Sequence, residues 1–182
     1  MVQPVPDHAP PRPATTGRTR SRILFTSRRA TGWRQINRCA SNPGRFTNLA
    51  SGLVLEVEDA STQPGARIIL ENSKTGDATS AQLWKYDNGY IINTNSGLVL
   101  EVGGYEAGGK ISVGSALVQA ERREPPTSLN QLWAYNYQHL MPYDPRVCVQ
   151  GKDGTADPAG TAAVVDSLQM NEPPQQWMLK PQ

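Results

Sequence analysis

The heptapeptide Ser-Gly-Leu-Val-Leu-Glu-Val occurs twice in this chain, at residues 51–57 and again at residues 96–102. A Gln-x-Trp triplet follows each copy and returns a third time near the end of the sequence, so that Trp84, Trp133 and Trp177 are spaced by 49 and 44 residues. A unit of this length cannot bury its own apolar face and must pack against its neighbours. The sequence therefore predicts three repeats, at about 45–88, 89–136 and 137–182.

Each repeat has the pattern of short antiparallel strands. Aliphatic residues alternate in the heptapeptide, glycine and asparagine punctuate the chain at short intervals, and no window shows a convincing helical period. We expect the third strand of the repeats at residues 66–70, 110–113 and 161–165, and the Gln-x-Trp strand as the fourth. The unequal spacing of the repeats is assigned to an insertion of about four residues within the segment 116–128. Four strands in each of three units predict a closed all-β body.

The first part of the chain differs from the rest in charge. Residues 1–46 contain nine arginines and one acidic residue, whereas residues 47–182 contain nine basic and fifteen acidic residues. We therefore predict a basic, disordered tail at 1–44 and a folded domain at 45–182. A mitochondrial presequence and a basic arm for nucleic acid remain alternatives for the tail. Without a secretory or membrane-spanning apolar run, and with Cys39 and Cys148 in different units, we expect a cytoplasmic protein.

The residues that repeat also carry a family resemblance. Residues 45–182 resemble the ricin B-chain-type lectins, including cytoplasmic ones of fungi, through the Gln-x-Trp triplets Gln82-Leu83-Trp84, Gln131-Leu132-Trp133 and Gln175-Gln176-Trp177. The resemblance implies a β-trefoil that binds carbohydrate without catalysis, in shallow pockets of up to one per repeat. It implies no cofactor and no metal. A large aromatic side chain repeated at symmetric positions is best used in the core, where we place the three tryptophans.

Sugar binding of this kind needs a carboxylate, an amide and an aromatic ring that stacks on the sugar. The resemblance places the carboxylate at Glu56, Glu101 and Gln150, and the amides just before each signature tryptophan. The stacking ring would lie near Glu71, Gly114 and Asp166, none of which is aromatic, and Tyr105 is the candidate substitute. The predicted sites, in order of preference, are Glu101, Tyr105, Asn130 and Gln131 in the second repeat, Glu56, Asp59 and Gln82 in the first, and Gln150, Asp153 and Gln175 in the third.

Other functions are weighed against the lectin hypothesis. Neither His8, His139 nor either cysteine belongs to a recognisable catalytic motif, so we do not expect an enzyme. A trefoil whose sugar sites have been lost would act as a protein-binding module, such as a protease inhibitor, with residues 116–128 as its contact loop. We expect glycans or glycoconjugates as partners, do not expect nucleic acid, and leave a homo-oligomer open.

Overall fold

Twelve strands build the described part of the chain, four in each repeat. The computed structural model describes residues 42–105, 109–154 and 157–182, and residues 1–41, which hold nearly all of the predicted basic tail, lie outside the described residues. This order of elements confirms the all-β trefoil of three repeats. The strands are β1 (Gly44–Asn48), β2 (Val54–Val57), β3 (Ile68–Glu71), β4 (Trp84–Asp87), β5 (Tyr90–Asn93), β6 (Val99–Val102), β7 (Leu117–Ala120), β8 (Trp133–Asn136), β9 (His139–Pro142), β10 (Val147–Gly151), β11 (Thr161–Ser167) and β12 (Trp177–Pro181).

The second and third strands of each repeat form a hairpin, and the first and fourth strands connect the repeats. β2 pairs with β3, β6 with β7 and β10 with β11, all antiparallel. β1 pairs with both β4 and β12, so that the first and last strands of the domain lie side by side. β8 and β9 form a separate two-stranded ladder. Hydrogen bonds from Trp133 N to Gly89 O (2.8 Å) and from Trp177 N to Gln138 O (2.7 Å) join this ladder to its neighbours.

The three signature tryptophans occupy equivalent places in the core. Trp84, Trp133 and Trp177 are between 0% and 3% exposed. Their indole Nε1 atoms donate to carbonyl oxygens on the second strand of the same repeat, at 2.8–3.1 Å. A buried indole N–H needs such a partner, and the repeated triplet supplies it in the same way three times. The prediction that these tryptophans are core residues is confirmed.

The third strand of the second repeat lies later in the chain than predicted. Gly65, Gly114 and Gly160 have φ values of +86°, +85° and +87°, a region that favours glycine. Their N–H groups donate at 2.7–2.8 Å to a carbonyl of the next repeat around the threefold arrangement. The three glycines are thus equivalent, and each precedes the third strand. The prediction of a strand at residues 110–113 is wrong, because that segment lies before Gly114 and the strand is β7.

The extra residues of the second repeat also lie elsewhere. Val57 is eight positions before Gly65, whereas Val102 is twelve positions before Gly114. From the last residue of the third strand to the signature glutamine, the first two repeats have the same length of eleven positions. The four additional residues therefore lie within 103–113, and their assignment to 116–128 is wrong.

No helix among the described residues has the length and apolar character needed to cross a bilayer. The helical segments described are short 3-10 turns, and three of them precede a signature tryptophan: Gly76–Gln82, Leu129–Gln131 and Pro173–Gln175. These turns matter for the site because each of them ends at the signature glutamine of its repeat.

Candidate functional site

In every repeat the signature glutamine holds the residue that was predicted to be the sugar-binding carboxylate. Gln82 Nε2 donates to Glu56 Oε2 at 2.6 Å, and Gln131 Nε2 donates to Glu101 Oε2 at 2.6 Å. In the third repeat the corresponding bond runs from Gln175 Nε2 to Gln150 Oε1, at 2.9 Å. The structure therefore brings together the two polar positions that the resemblance singled out, three times over.

These polar side chains are buried rather than exposed on the strand. Leu55 and Val57 point into the core, while Glu56 lies on the opposite face of β2 and is covered by the loop that leads to Gln82. The exposed fraction is 1% for Glu56 and 9% for Glu101. In the second repeat the loop that leads to Gln131 covers Glu101 in the same way.

A second set of equivalent residues lies just after the third strand of each repeat. These are Lys74, Arg123 and Gln169, and each donates its backbone N–H to the side-chain oxygen of the signature glutamine at 2.7–2.9 Å. The glutamine is thereby fixed from both ends, as acceptor and as donor. As a consequence, Lys74, Arg123 or Gln169 is held beside the predicted carboxylate position of its repeat. The side chain of that residue determines whether a positive charge lies next to this position.

In the first two repeats this loop residue is basic and pairs with the glutamate. Lys74 Nζ lies 2.5 Å from Glu56 Oε1. Arg123 Nη2 lies 3.0 Å from Glu101 Oε2 and donates to Asn130 Oδ1 at 2.9 Å. Asn130 in turn donates to Val102 O at 2.9 Å and is fully buried. The carboxylates and amides predicted to bind sugar in these repeats are therefore already engaged with the chain itself.

The third repeat is arranged differently. Gln150 replaces the glutamate, Gln169 replaces the basic residue, and Gln150 Nε2 donates to Asp166 Oδ2 at 2.9 Å. A polar cavity of about 160 Å³ opens here; it is lined by Gln150, Gly154, Asp166, Gln169, Glu172, Pro174 and Gln175. Within the described residues, no lysine or arginine forms an ion pair with Asp166 or Glu172. We call this cavity the third-repeat pocket.

The strand register gives the position predicted for the stacking ring. Val54 pairs with Glu71, Val99 with Ala120 and Cys148 with Asp166. The equivalent of Glu71 and Asp166 in the second repeat is therefore Ala120. The assignment to Gly114 is wrong because the third strand of this repeat was predicted too early in the chain. None of the three residues is aromatic. Asp166, expected only as a residue lacking a ring, instead supplies a carboxylate to the third-repeat pocket.

Three further predicted residues lie apart from these networks. Asp59 is exposed on the 3-10 turn Glu58–Ala60, with a φ of +54°. Asp153 is exposed, and its backbone N–H donates to Asp157 Oδ1 at 3.0 Å. Tyr105 lines a separate cavity of about 270 Å³, whose lining includes none of Glu101, Asn130 and Gln131.

The third repeat lacks an inter-repeat hydrogen bond that the other two repeats have. Asn48 and Asn93 end the first strand of their repeats, and their Nδ2 atoms donate to Pro174 O and Ala81 O of the preceding repeat, at 2.8 and 2.9 Å. Pro142 occupies the equivalent place at the end of β9 and has no amide to donate. This hydrogen bond between the second and third repeats is therefore absent, and the cavity that Tyr105 lines lies between the same two repeats, with Leu129 and Tyr143 in its lining.

Reactive side chains elsewhere are enclosed. Cys148 is fully buried, and burial raises the pKa of its thiol to about 12, with the nearby Asp166 charge adding to the effect. His139 is 2% exposed, and its Nδ1 atom lies 2.7 Å from Tyr137 O. The described residues contain no group of three or more His, Cys, Asp or Glu side chains suited to holding a metal ion.

Comparison with known proteins agrees with the trefoil fold of this domain. The profile of the ricin-type β-trefoil lectin domain matches residues 42–177. The chain belongs to the ricin-type β-trefoil lectin family. Its residues also match Mucoricin of Rhizopus delemar at 50% identity over 46 residues, which is 25% of this chain and 31% of that protein. The match thus spans about a third of the length of this relative.

Solved structures share the ricin-type trefoil fold at low sequence identity. The C-terminal half of the earthworm R-type lectin, solved in complex with GalNAc, has a TM-score of 0.64 at 17% identity, covering 78% of this chain and 99% of the other. The ricin B-like lectin of Macrolepiota procera, in complex with lactose, has a TM-score of 0.61 at 15% identity over 78% and 96% of the two chains. ThreeFoil, a designed threefold-symmetric protein, has a TM-score of 0.62 at 22% identity over 76% and 97%.

The residues that sequence reasoning missed are Lys74, Arg123 and Gln169. Their signal was present as a constant offset, because they lie three positions after Glu71, Ala120 and Asp166, which share one register in the third strand. The offset becomes visible only once that strand is placed correctly in the second repeat. Sequence reasoning therefore found the acceptors of the site but not the cations that occupy two of them.

Proposed function

We propose that this domain is a non-catalytic, carbohydrate-binding lectin whose open site is the third-repeat pocket. The observation that carries the proposal is the contrast between the repeats. The signature glutamine orients a polar side chain in all three, but a basic side chain of the same chain engages it only in the first two. Family membership supports sugar as the ligand, and the earthworm and Macrolepiota relatives were solved with GalNAc and lactose.

The closed state of the first two repeats supports this choice of site. A sugar hydroxyl entering the first repeat would have to displace Lys74 from a carboxylate that has 2% of its surface exposed. Removing one partner from a buried ion pair leaves an uncompensated charge. The resulting free-energy penalty is larger than the gain from a hydrogen bond to a neutral hydroxyl. In the third-repeat pocket the polar groups line open space, so no such exchange is needed.

The environment of Cys148 and His139 supports a non-catalytic role. With a thiol pKa of about 12, Cys148 carries a neutral thiol at physiological pH, and only the thiolate is an effective nucleophile. His139 is enclosed at the start of β9, away from the third-repeat pocket lining. Binding through fixed amides and carboxylates needs neither group.

The test is a glycan array probed with the full chain and with matched variants. Gln169→Lys places in the third repeat the residue that closes the first, so we expect the glycan signal to disappear. Lys74→Gln and Arg123→Gln change the equivalent positions of the other repeats, and we expect the signal to persist in both. Circular dichroism of each variant checks that the fold is retained.

Two other outcomes would point elsewhere. A signal that survives Gln169→Lys but is lost in Glu101→Gln would favour the second repeat, as predicted from the sequence. An array that stays silent with a folded protein would overturn sugar binding and favour the protein-binding alternative. Within the segment assigned to that alternative, residues 117–120 are strand β7 and Arg122 stacks on Tyr90 at 4.0 Å, and the exposed positions are 121, 122 and 124–127. The cytoplasmic location and a homo-oligomer stay predictions.

A further inference from the structure

We propose that the third-repeat pocket recognises a sugar bearing a free amino group, a hexosamine in its ammonium form. This inference rests on the proposed function, because it names the ligand class of the same site. The argument is a comparison of the same place in three repeats of one chain.

In two of the repeats a cation of the chain already occupies this place. The first repeat has the Lys74 ammonium on Glu56, and the second has the Arg123 guanidinium on Glu101. Both cations reach the carboxylate from a loop whose backbone is tied to the signature glutamine. The repeat is therefore built around a nitrogen cation that lies against an acidic group and a fixed amide.

The third repeat keeps the acidic group but provides no cation of its own. In this repeat the acidic residue lies on the neighbouring strand, where Asp166 accepts a hydrogen bond from Gln150 across the β10–β11 hairpin. Glu172 adds a second carboxylate to the lining of the pocket. The neutral Gln169 occupies the position of Lys74 and Arg123, so the described residues leave these two carboxylates without a basic partner. A positively charged ligand would give these carboxylates the cationic partner that Lys74 and Arg123 provide in the other two repeats.

The remaining lining favours a sugar over a simple amine. Gln150 is 91% buried and is held by Gln175 on one side and by Asp166 on the other, so its amide is fixed before any ligand arrives. Fixed amides and carboxylates suit the vicinal hydroxyls of a pyranose ring, since unpaired polar groups at the contact would cost affinity. The cavity of about 160 Å³ has room for a single small unit.

Titration calorimetry on the full chain, with sugars that differ only at C2, tests the inference. The probes are the methyl β-glycosides of glucosamine, N-acetylglucosamine and glucose at pH 6.5, together with the corresponding galacto series. In at least one series, we expect the free amine to bind about tenfold or more tightly than its two counterparts, because hydrogen bonds between charged groups are the stronger ones. This preference should weaken as salt is added, since it depends on charge.

Matched variants localise the effect. Asp166→Asn keeps the shape of the side chain and removes its charge, so we expect the amine preference to fall to about twofold or less. Glu71→Gln is the control, because Glu71 occupies the same strand register in the first repeat and also accepts a hydrogen bond from the next backbone amide. Its affinity for the amino sugar should equal that of the unchanged protein.

Several results would overturn the inference, and they are distinguishable from failure of the proposed function. Equal affinity for the amino, N-acetyl and neutral sugars at this pocket would remove the amine preference and leave the lectin function intact. Equal affinity for 1,6-diaminohexane would show that the sugar ring contributes nothing. A preference that survives Asp166→Asn would place the amine elsewhere. The absence of binding to all six glycosides, together with a silent array, would overturn both proposals.

Discussion

The ammonium of Lys74 lies 2.5 Å from Oε1 of Glu56, and 41% of the lysine side chain is exposed against 2% of the glutamate side chain. The pair therefore has one end in water and one end in the protein. An exposed ion pair of the same repeat, Arg67 with Glu58, provides the contrast, since 59% and 30% of those side chains are exposed. The two pairs are expected to contribute to stability in different degrees.

Replacing Lys74 by methionine should lower the free energy of unfolding by about 1–3 kcal/mol, because the change leaves a buried carboxylate with one fewer partner. The expected loss is below that for a fully buried pair, since water can reach the lysine end. Arg67→Met should cost clearly less, because an exposed ion pair contributes little to stability. Urea denaturation of the two variants measures the difference. Equal losses would show that the burial of Glu56 has no energetic consequence.

The signature tryptophans make a larger contribution. Trp133→Ala should lower the free energy of unfolding by about 3–5 kcal/mol, because it leaves a cavity and an unpaired carbonyl at Leu100. Tyr137→Ala, at a side chain that is half exposed, should change it by less than about 0.5 kcal/mol. Chemical denaturation followed by circular dichroism compares the two. A stable Trp133→Ala variant would contradict the role of this residue in the trefoil core.

The fold was predictable from the sequence because repetition shows which residues are equivalent. Trp84, Trp133 and Trp177 fixed the number of repeats and their core, since a buried indole leaves the same signature at every copy. The third strand of the second repeat was misplaced because Ile111 and Val113 resemble a strand as well as Leu117 and Val118 do. The two segments are distinguished by the left-handed conformation of Gly114, which lies between them. An alternating pattern of apolar residues does not reveal such a backbone conformation.

Gly114→Ala tests the corrected register. A residue with a side chain is strained at φ +85°, although open space surrounds the position of the added carbon, so the expected loss is about 1–2 kcal/mol of unfolding free energy. The loss should come from the backbone alone, which keeps the inter-repeat bond to Val165 O. Ser112→Ala, two positions earlier on the exposed loop, is the control and should be neutral within about 0.5 kcal/mol. Similar losses in both variants would contradict the equivalence of Gly65, Gly114 and Gly160.

The candidate site was predictable only in part, for a reason that concerns charge. Glu56, Glu101 and Gln150 could be aligned through the repeats, and the structure brings each of them to its signature glutamine. Lys74 and Arg123 could not be assigned, because a basic residue in a loop is usually solvated and its sequence position does not reveal a partner. The choice between an occupied and an open pocket depends on that partner. That partner is fixed only by the folded chain.

The buried thiol of Cys148 allows a last prediction about reactivity. Its pKa of about 12 in the folded protein, against an ordinary value of 9.0, means that the thiolate fraction at pH 8 is about a thousandfold lower than in the unfolded chain. In a Cys39→Ser background, which leaves a single thiol, a disulfide reagent should therefore label the native protein at least about a thousandfold more slowly than the protein in guanidinium chloride.

The same shift has a consequence for stability, and its sign follows from the direction of the pKa. A thiol whose pKa is raised on folding stabilises the folded state below pH 9, where it is protonated in both states. As the pH rises above 9.0 the unfolded chain loses this proton while the folded protein retains it until about pH 12, so the free energy of unfolding falls across that window. Urea denaturation between pH 7 and 10.5 should show a decline that is shallower in Cys148→Ala than in the Cys39→Ser protein. Parallel declines, or rapid labelling of the native thiol, would contradict the burial of Cys148 on β10.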